Sequence, residues 1–377
     1  MSNKIGIFGT SKKKFENRIP FHPSLFNLIP REIKGNLFFE SGYGDRFGIS
    51  DDALATEFGG VLKRDEIFGH TDVWILPKPE IDDFKYFSPG KILWGWPHCV
   101  QGVEIASAAI DAKMTIVAWE AMYSGNDNTH IFYRNNELAG YAAIQHMMML
   151  TGKNGYFGRS LKAAVLGFGA TGRGAVNSLK SLGVKDITIY SRRPSYLINA
   201  PIESVDYKQM IINDDDEILL QKDTTFLPTK EVLSECDVIV NCVLQNPNSP
   251  LMFITEKNID AFDKIVDIID ISCDRGMGFH FARPTSFDEP MFTVPGHDNI
   301  RYYCVDHTPT IYWDSASYEI TKSLLHYLPL FINDSWRGDK VLANAVEIEK
   351  GVIANEKIKT FQNRQDAYPH ELISEKR

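Results

Sequence analysis

The sequence predicts an α/β chain of two domains, each built on a parallel sheet and joined by a cleft. Three observations lead there. A chain of 377 residues is longer than one hydrophobic core usually organises. Short apolar runs alternate with helical patterns almost throughout, as they do where helices cover both faces of a parallel sheet. A glycine turn at Gly167, Gly169 and Gly172 stands directly between an apolar run and a helical pattern.

In order along the chain, strands are expected at residues 4–8, 36–39, 73–76, 92–96 and 114–117, which fills a first domain over 1–130. Residues 137–150, rich in Ala and Met, read as a helix crossing between domains. A second series of strands at 162–166, 186–190, 238–242 and 265–271 builds a domain over 131–307. The tail reads as helices at 317–330 and 341–348.

A formal net charge of −9 argues against general affinity for nucleic acid or acidic lipid, since both require a basic surface, and any anionic ligand must meet a local positive site. No apolar run reaches the roughly 18 residues that span a membrane, and the first residues lack the apolar core of a leader; a cytoplasmic protein without nucleic-acid or membrane partners is expected. Cys99, Cys236, Cys242, Cys273 and Cys304 show no metal-ligand spacing and read as inert thiols. No metal site is expected.

The segment LKAAVLGFGATGRGAVNSLKSLG places GxGxxG spacing after a strand and at the start of a helix. Gly167 permits the tight turn, Gly169 lets backbone approach a pyrophosphate, and Gly172 allows close packing of helix on strand; Ala170 and Thr171 open the helix, whose unpaired N–H groups suit phosphate. This is a Rossmann-like arrangement, and the chain reads as two such domains. Where an NAD-binding chain carries an acidic residue to meet the ribose hydroxyls, the second strand here ends in Ser191, Arg192 and Arg193. Guanidinium groups pair with a 2′-phosphate that a carboxylate would repel, so NADPH is the expected cofactor.

Six further motifs occur in order: ENRIPFHP at 16–23, SGYGDRFGISDD at 41–52, YFSPGKILWGWPH at 86–98, ELAGYAA at 137–143, DISCDRGMGF at 270–279 followed by RPTSFDEP, and YCVDHTP at 303–309. Together they resemble the alanine dehydrogenase and transhydrogenase superfamily over most of residues 1–320, and the GWPH ending resembles the G-W-T-H of its carboxyethylornithine branch. The resemblance implies two Rossmann-like domains with an interdomain active-site cleft, the first completed by the returning residues 308–377, and a homo-oligomeric oxidoreductase acting on CH–NH groups. Its substrates would be a 2-oxo acid, pyruvate, and the side-chain amine of an amino acid, ornithine or lysine, joined through an imine that NADPH reduces.

By the same resemblance, Arg18 binds the oxo-acid carboxylate and Lys78 is the second cation, although the family's K-E-P order differs from Lys78-Pro79-Glu80 by one residue. His98 matches the catalytic histidine, and imidazole can give a carbonyl oxygen a proton near neutral pH. Asp274 matches the catalytic aspartate, either taking a proton from the amine or holding His98 or a water; Asp270, inside the strand, reads as structural. Asn241, Val243 and Leu244, after a strand, line the nicotinamide edge, and His307 matches a position near it. Alanine dehydrogenase using ammonia, a saccharopine-type dehydrogenase, and a catalytically silent NADP(H)-binding regulator stand as alternatives.

Overall fold

The computed structural model describes residues 2–125, 129–245, 249–272 and 275–373. The chain forms two compact units, one of Met1–Tyr133 with Trp313–Arg377 and one of Arg134–Tyr312. The first unit begins with strands β1 (Ile5–Ile7), β2 (Leu37–Glu40), β3 (Gly60–Leu62), β4 (Val73–Ile75), β5 (Ile92–Gly95) and β6 (Thr115–Ala118). All but β3 are buried along their whole length, as strands covered on both faces must be.

In the second unit the chain forms β7 (Lys162–Leu166), β8 (Asp186–Ser191), β9 (Asp206–Ile212), β10 (Ile218–Lys222), β11 (Thr225–Pro228), β12 (Val238–Asn241), β13 (Met252–Ile254), β14 (Val266–Asp270), β15 (Gly278–Phe279), β16 (Met291–Val294) and β17 (His297–Tyr303). It then returns to the first unit with β18 (Val346–Glu349) and β19 (Val352–Ile353).

The two large sheets share one plan. In the first unit the order is β19-β18-β6-β5-β4-β1-β2-β3, in the second β11-β10-β9-β8-β7-β12-β14-β17-β16. Each has six parallel strands in doubly wound order, with antiparallel strands added at the edges. Strand order reverses beside β1 and β4 in one sheet and beside β7 and β12 in the other. Loops that leave such neighbours in opposite directions open a crevice beyond the strands' C-terminal ends, and ligands gather there.

The returning tail belongs to the first core. Ile19 N–H donates to Ser317 Oγ at 2.9 Å, His22 N–H to Thr321 Oγ1 at 2.6 Å, and Ile320, Leu324, Leu328, Phe331 and Trp336 join the cluster around Ile5, Phe39 and Trp94. The tail's helices are Trp313–Leu324, Leu328–Ile332, Lys340–Asn344 and Glu356–Gln362, so the helix expected at 341–348 is corrected. Val346 to Glu349 read Val-Glu-Ile-Glu, an alternation that suits a half-buried strand, and β18 pairs antiparallel with β6. Strands β9 to β11 and β16, none of them among the expected strands, are partly exposed, and their mixed polar pattern hides the period.

Within the second unit, the helix Tyr133–Leu150 lies against the helix Ala170–Ser181 through two glycines. A Cβ on Gly140 would stand 2.0 Å from Thr171 O, and one on Gly174 would stand 1.7 Å from Glu137 O. Neither neighbour is a side chain that can swing away. Gly174→Ala should therefore lower stability by about 1–3 kcal/mol through overpacking, read as a fall in Tm by calorimetry; an unchanged Tm would show that the helices separate at no cost.

Candidate active site

Three side chains gather beyond the C-terminal ends of β4, β5 and β6. Lys78 follows β4 and is buried; His98 follows β5; Glu120 follows β6. Lys78 Nζ lies 2.7 Å from His98 Nε2, and His98 Nδ1 lies 3.7 Å from Glu120 Oε1. A lysine ammonium has only donors, so this contact assigns the lone pair to Nε2 and the ring proton to Nδ1, facing Glu120.

His98 holds a left-handed backbone, φ 50°, which few non-glycine residues adopt. Its own N–H donates to Glu120 Oε1 at 2.6 Å, and Gly102 N–H closes the turn on His98 O at 2.8 Å. The acid after β6 thus fixes the turn after β5. Glu120 Oε2 is out of contact with water and has no hydrogen-bond partner among the described residues.

Burial is the main cause of two displaced titrations. Desolvation pulls Lys78 down to about 8, helped by the charges of Lys13 and Arg18, while Glu16 and Glu120 work the other way. Desolvation pushes the Glu120 carboxyl up to about 7, helped by Glu347, against Lys78 and the His98 N–H. Both groups therefore exchange protons near neutrality, where acid–base work is done.

Arg18 is buried beside this group. Its Nε donates to Glu16 Oε1 at 2.8 Å and its Nη2 to Glu16 Oε2 at 2.5 Å, a bidentate pairing that sets the plane of the guanidinium. Burial opposes charge on Glu16, but the attraction and hydrogen bonds of Arg18 outweigh it and hold the carboxyl below its ordinary value. The Arg18 guanidinium stands 4.6 Å from the Trp96 ring centre and Lys78 Nζ 5.8 Å from the same centre. Two cations on one indole, next to an imidazole, suit a small carboxylate that carries a reactive carbonyl.

Glu16, Trp96 and Glu120 were not singled out from the sequence. Two lay inside motifs already noted, Glu16 in ENRIPFHP and Trp96 in GWPH. Glu120 carried a signal of its own, a carboxylate just past a buried strand, where Lys78 and His98 also stand.

In the second unit, Gly167 takes φ 89° after β7, and a Cβ on Gly172 would stand 2.4 Å from Gly167 O, so turn and helix meet backbone to backbone. Gly169 is the N-cap of the helix Ala170–Ser181, with no side-chain cap, and a Cβ there would project into open space. A first turn left uncapped by side chains, opening on free space with Ala170 and Thr171 at its head, fits a dinucleotide pyrophosphate. Ser191 is buried at the end of β8 and accepts from Arg193 N–H at 3.1 Å; Arg192 and Arg193 are exposed. Exposed guanidiniums at that strand end fit a ribose phosphate.

Asn241 is fully buried; its amide donates to Asp270 Oδ1 at 3.0 Å and accepts from Val243 N–H at 3.2 Å. Tyr302 OH donates to Asp270 Oδ2 at 2.7 Å, so Asp270 ties β12, β14 and β17 together. Val243 is buried, whereas Leu244 is 87% exposed and packs against little within its unit. His307, also left-handed at φ 43°, has Nδ1 2.6 Å from Asp306 Oδ1 and a buried Nε2 without a partner among the described residues. Asp274 lies outside the described residues. Among the described residues no helix is long and apolar enough to cross a membrane.

The family model described as "Alanine dehydrogenase/PNT, C-terminal domain" matches residues 137–356, more than half of the chain. The chain belongs to the alanine dehydrogenase/PNT family, and it is an NAD(P)-dependent oxidoreductase. It is 24% identical over 330 residues to the N(5)-(carboxyethyl)ornithine synthase of Clostridium botulinum, covering 81% of this chain and 90% of that one. It is 22% identical over 376 residues to the alanine dehydrogenase of Mycolicibacterium smegmatis, covering 94% and 95%. Among solved structures, an L-alanine dehydrogenase superimposes with a TM-score of 0.75 at 17% identity, over 95% of this chain and 98% of that one. A transhydrogenase from Sinorhizobium meliloti does so with a TM-score of 0.65 at 15% identity, over 93% and 98%.

Glu120→Gln tests the Lys78–His98–Glu120 cluster. If catalysis needs Glu120 ionised and Lys78 protonated, kcat/KM rises as pH climbs through about 7 and falls as it passes about 8. The amide cannot ionise, so the variant should lose the lower limb; a pH profile identical to that of the parent would remove Glu120 from the proton chemistry.

Proposed function

We propose that this protein catalyses the NADPH-dependent reductive condensation of pyruvate with the side-chain amine of an amino acid, ornithine or lysine, as a cytoplasmic homo-oligomer. The observation that carries the reading is the contact of Lys78 with His98 beside the Glu16-held Arg18. The likeness to the Clostridium botulinum synthase and the GWPH segment support a side-chain amine over ammonia.

Such a reaction makes definite demands, and these residues answer them. Arg18 and Lys78 take the carboxylate of the oxo acid and orient its carbonyl. Lys78 passes a proton to His98 Nε2, which gives it to the carbonyl oxygen as the amine nitrogen attacks, and loss of water leaves an imine. The incoming amine arrives as an ammonium whose ordinary pKa is near 10, so it must shed a proton before attacking; Glu120, through His98, or Asp274 accepts it. The cofactor, bound along Gly167–Gly172 and Ser191–Arg193, supplies the hydride that reduces the imine carbon. Asn241, Val243, Leu244 and His307 border its nicotinamide end.

A panel of amines and 2-oxo acids, followed by NADPH oxidation with product mass recorded, tests the assignment. Pyruvate with ornithine or lysine should give the condensed mass and ammonia should react poorly. Alanine formed faster from ammonia would replace the reading with alanine dehydrogenase, and lysine condensed with 2-oxoglutarate would replace it with a saccharopine-type activity. In the same assay His98→Ala and Asp274→Ala should each lower turnover by about a hundredfold while cofactor fluorescence titration stays normal.

Cofactor choice is tested separately. Replacing Arg192 and Arg193 together with Ala should weaken NADPH far more than NADH, since each charge-assisted phosphate contact is worth about 1.5–3 kcal/mol. Equal use of both cofactors by the unmodified protein would overturn the preference.

A further inference from the structure

Next to the cluster, within the first unit, lies a hollow of about 530 Å³, a size that suits a small-molecule ligand. One wall is Ala121, Tyr123, Ser124 and Gly125, the chain that runs on from Glu120; the other is built by β18 and the turn after β19. The pairing of β18 with β6 brings these walls together, with Ala118 N–H donating to Ala345 O at 2.8 Å and Val346 opposite Val117. The hollow therefore opens at the same sheet edge as Lys78 and His98.

Its chemistry is that of a zwitterion's counterpart. Glu347 is 3% exposed and lines the hollow, its two oxygens held by Asn355 Nδ2 at 2.9 and 3.0 Å. One amide donor leaves most of the acceptor capacity of a buried carboxylate for something cationic. Lys357, exposed at the rim, offers a cation a few residues further on. The charge of Glu347 bears on Glu120, and burial pushes the Glu347 carboxyl upward against Asn355 and the charge of Lys357. A diamino acid carries a positive charge toward each of them.

We propose that this hollow is the subsite for the amino-acid end of the amine substrate, with Glu347, braced by Asn355, receiving the α-ammonium and Lys357 the α-carboxylate, so that the side-chain amine points to His98. The proposal rests on the reading of the reaction given above. It supplies the remote handles by which binding energy positions a nitrogen against a ketone, and which ammonia lacks.

The test compares ornithine with putrescine, which lacks the carboxylate, and with δ-aminovalerate, which lacks the α-ammonium, for the parent enzyme, Glu347→Gln and Lys357→Ala. Each variant should raise the KM for ornithine by about tenfold, the scale of one charge-assisted contact, and leave the KM for pyruvate unchanged. Glu347→Gln should lose discrimination against δ-aminovalerate alone, and Lys357→Ala against putrescine alone. Lys357 is exposed, so its variant reads out even if Glu347→Gln fails to fold. If the parent forms the condensed product and Lys357→Ala keeps the parent's KM and discrimination, the subsite is overturned while the reaction stands. If the parent instead prefers ammonia, both fall together.

Discussion

A parallel strand buried on both faces offers no position from which a side chain can do chemistry except beyond its end. Most strands of the six-strand parallel core in each sheet are of this kind, so polar function is forced to the C-terminal edge, and the reversal of strand order decides where along that edge there is room. In the first unit Lys78, His98 and Glu120 follow three neighbouring strands. In the second the glycine turn follows β7 and Asn241 closes β12, the two strands at the reversal.

What the edge assembles is governed by burial. Lys78 is buried and Glu120 half-buried, and desolvation moves the titrations of these opposite charges toward each other, to about 8 and about 7. The imidazole between them is thereby flanked by a donor that gives up its proton more readily than a free lysine and an acceptor that keeps one more readily than a free glutamate. Arg18 is treated differently. Glu16 cancels much of its charge while fixing its plane, so that orientation is retained without an isolated buried cation.

The returning tail serves two ends. Its helices close the apolar face that residues 1–133 leave open, through Ile320, Phe331 and Trp336, and its strand β18 extends the sheet past β6. That extension is antiparallel, which a buried parallel pattern does not announce. It also brings Glu347 and Asn355 to the wall of a hollow whose opposite wall begins one residue after Glu120. Position along the chain, more than 220 residues apart for Glu120 and Glu347, gives no hint of this proximity.

By itself the sequence determined the two α/β series and the glycine turn, because continuous apolar runs and GxGxxG spacing are local consequences of backbone sterics and burial. Lys78 and His98 it offered only through motifs that resemble a known family, since a lone residue past a strand carries no role by itself. It read residues 341–348 as helix, since four residues of alternating Val-Glu-Ile-Glu are too short to reveal a strand until β6 is there to pair with. Glu16 could be read as a neighbour of Arg18, but not as its bidentate partner. The role of Glu120 was decided only by tertiary structure: an acid in a loop is ordinarily solvated and ionised, and this one is set apart by the His98 backbone, by Lys78 and by desolvation, none of which is local in the chain.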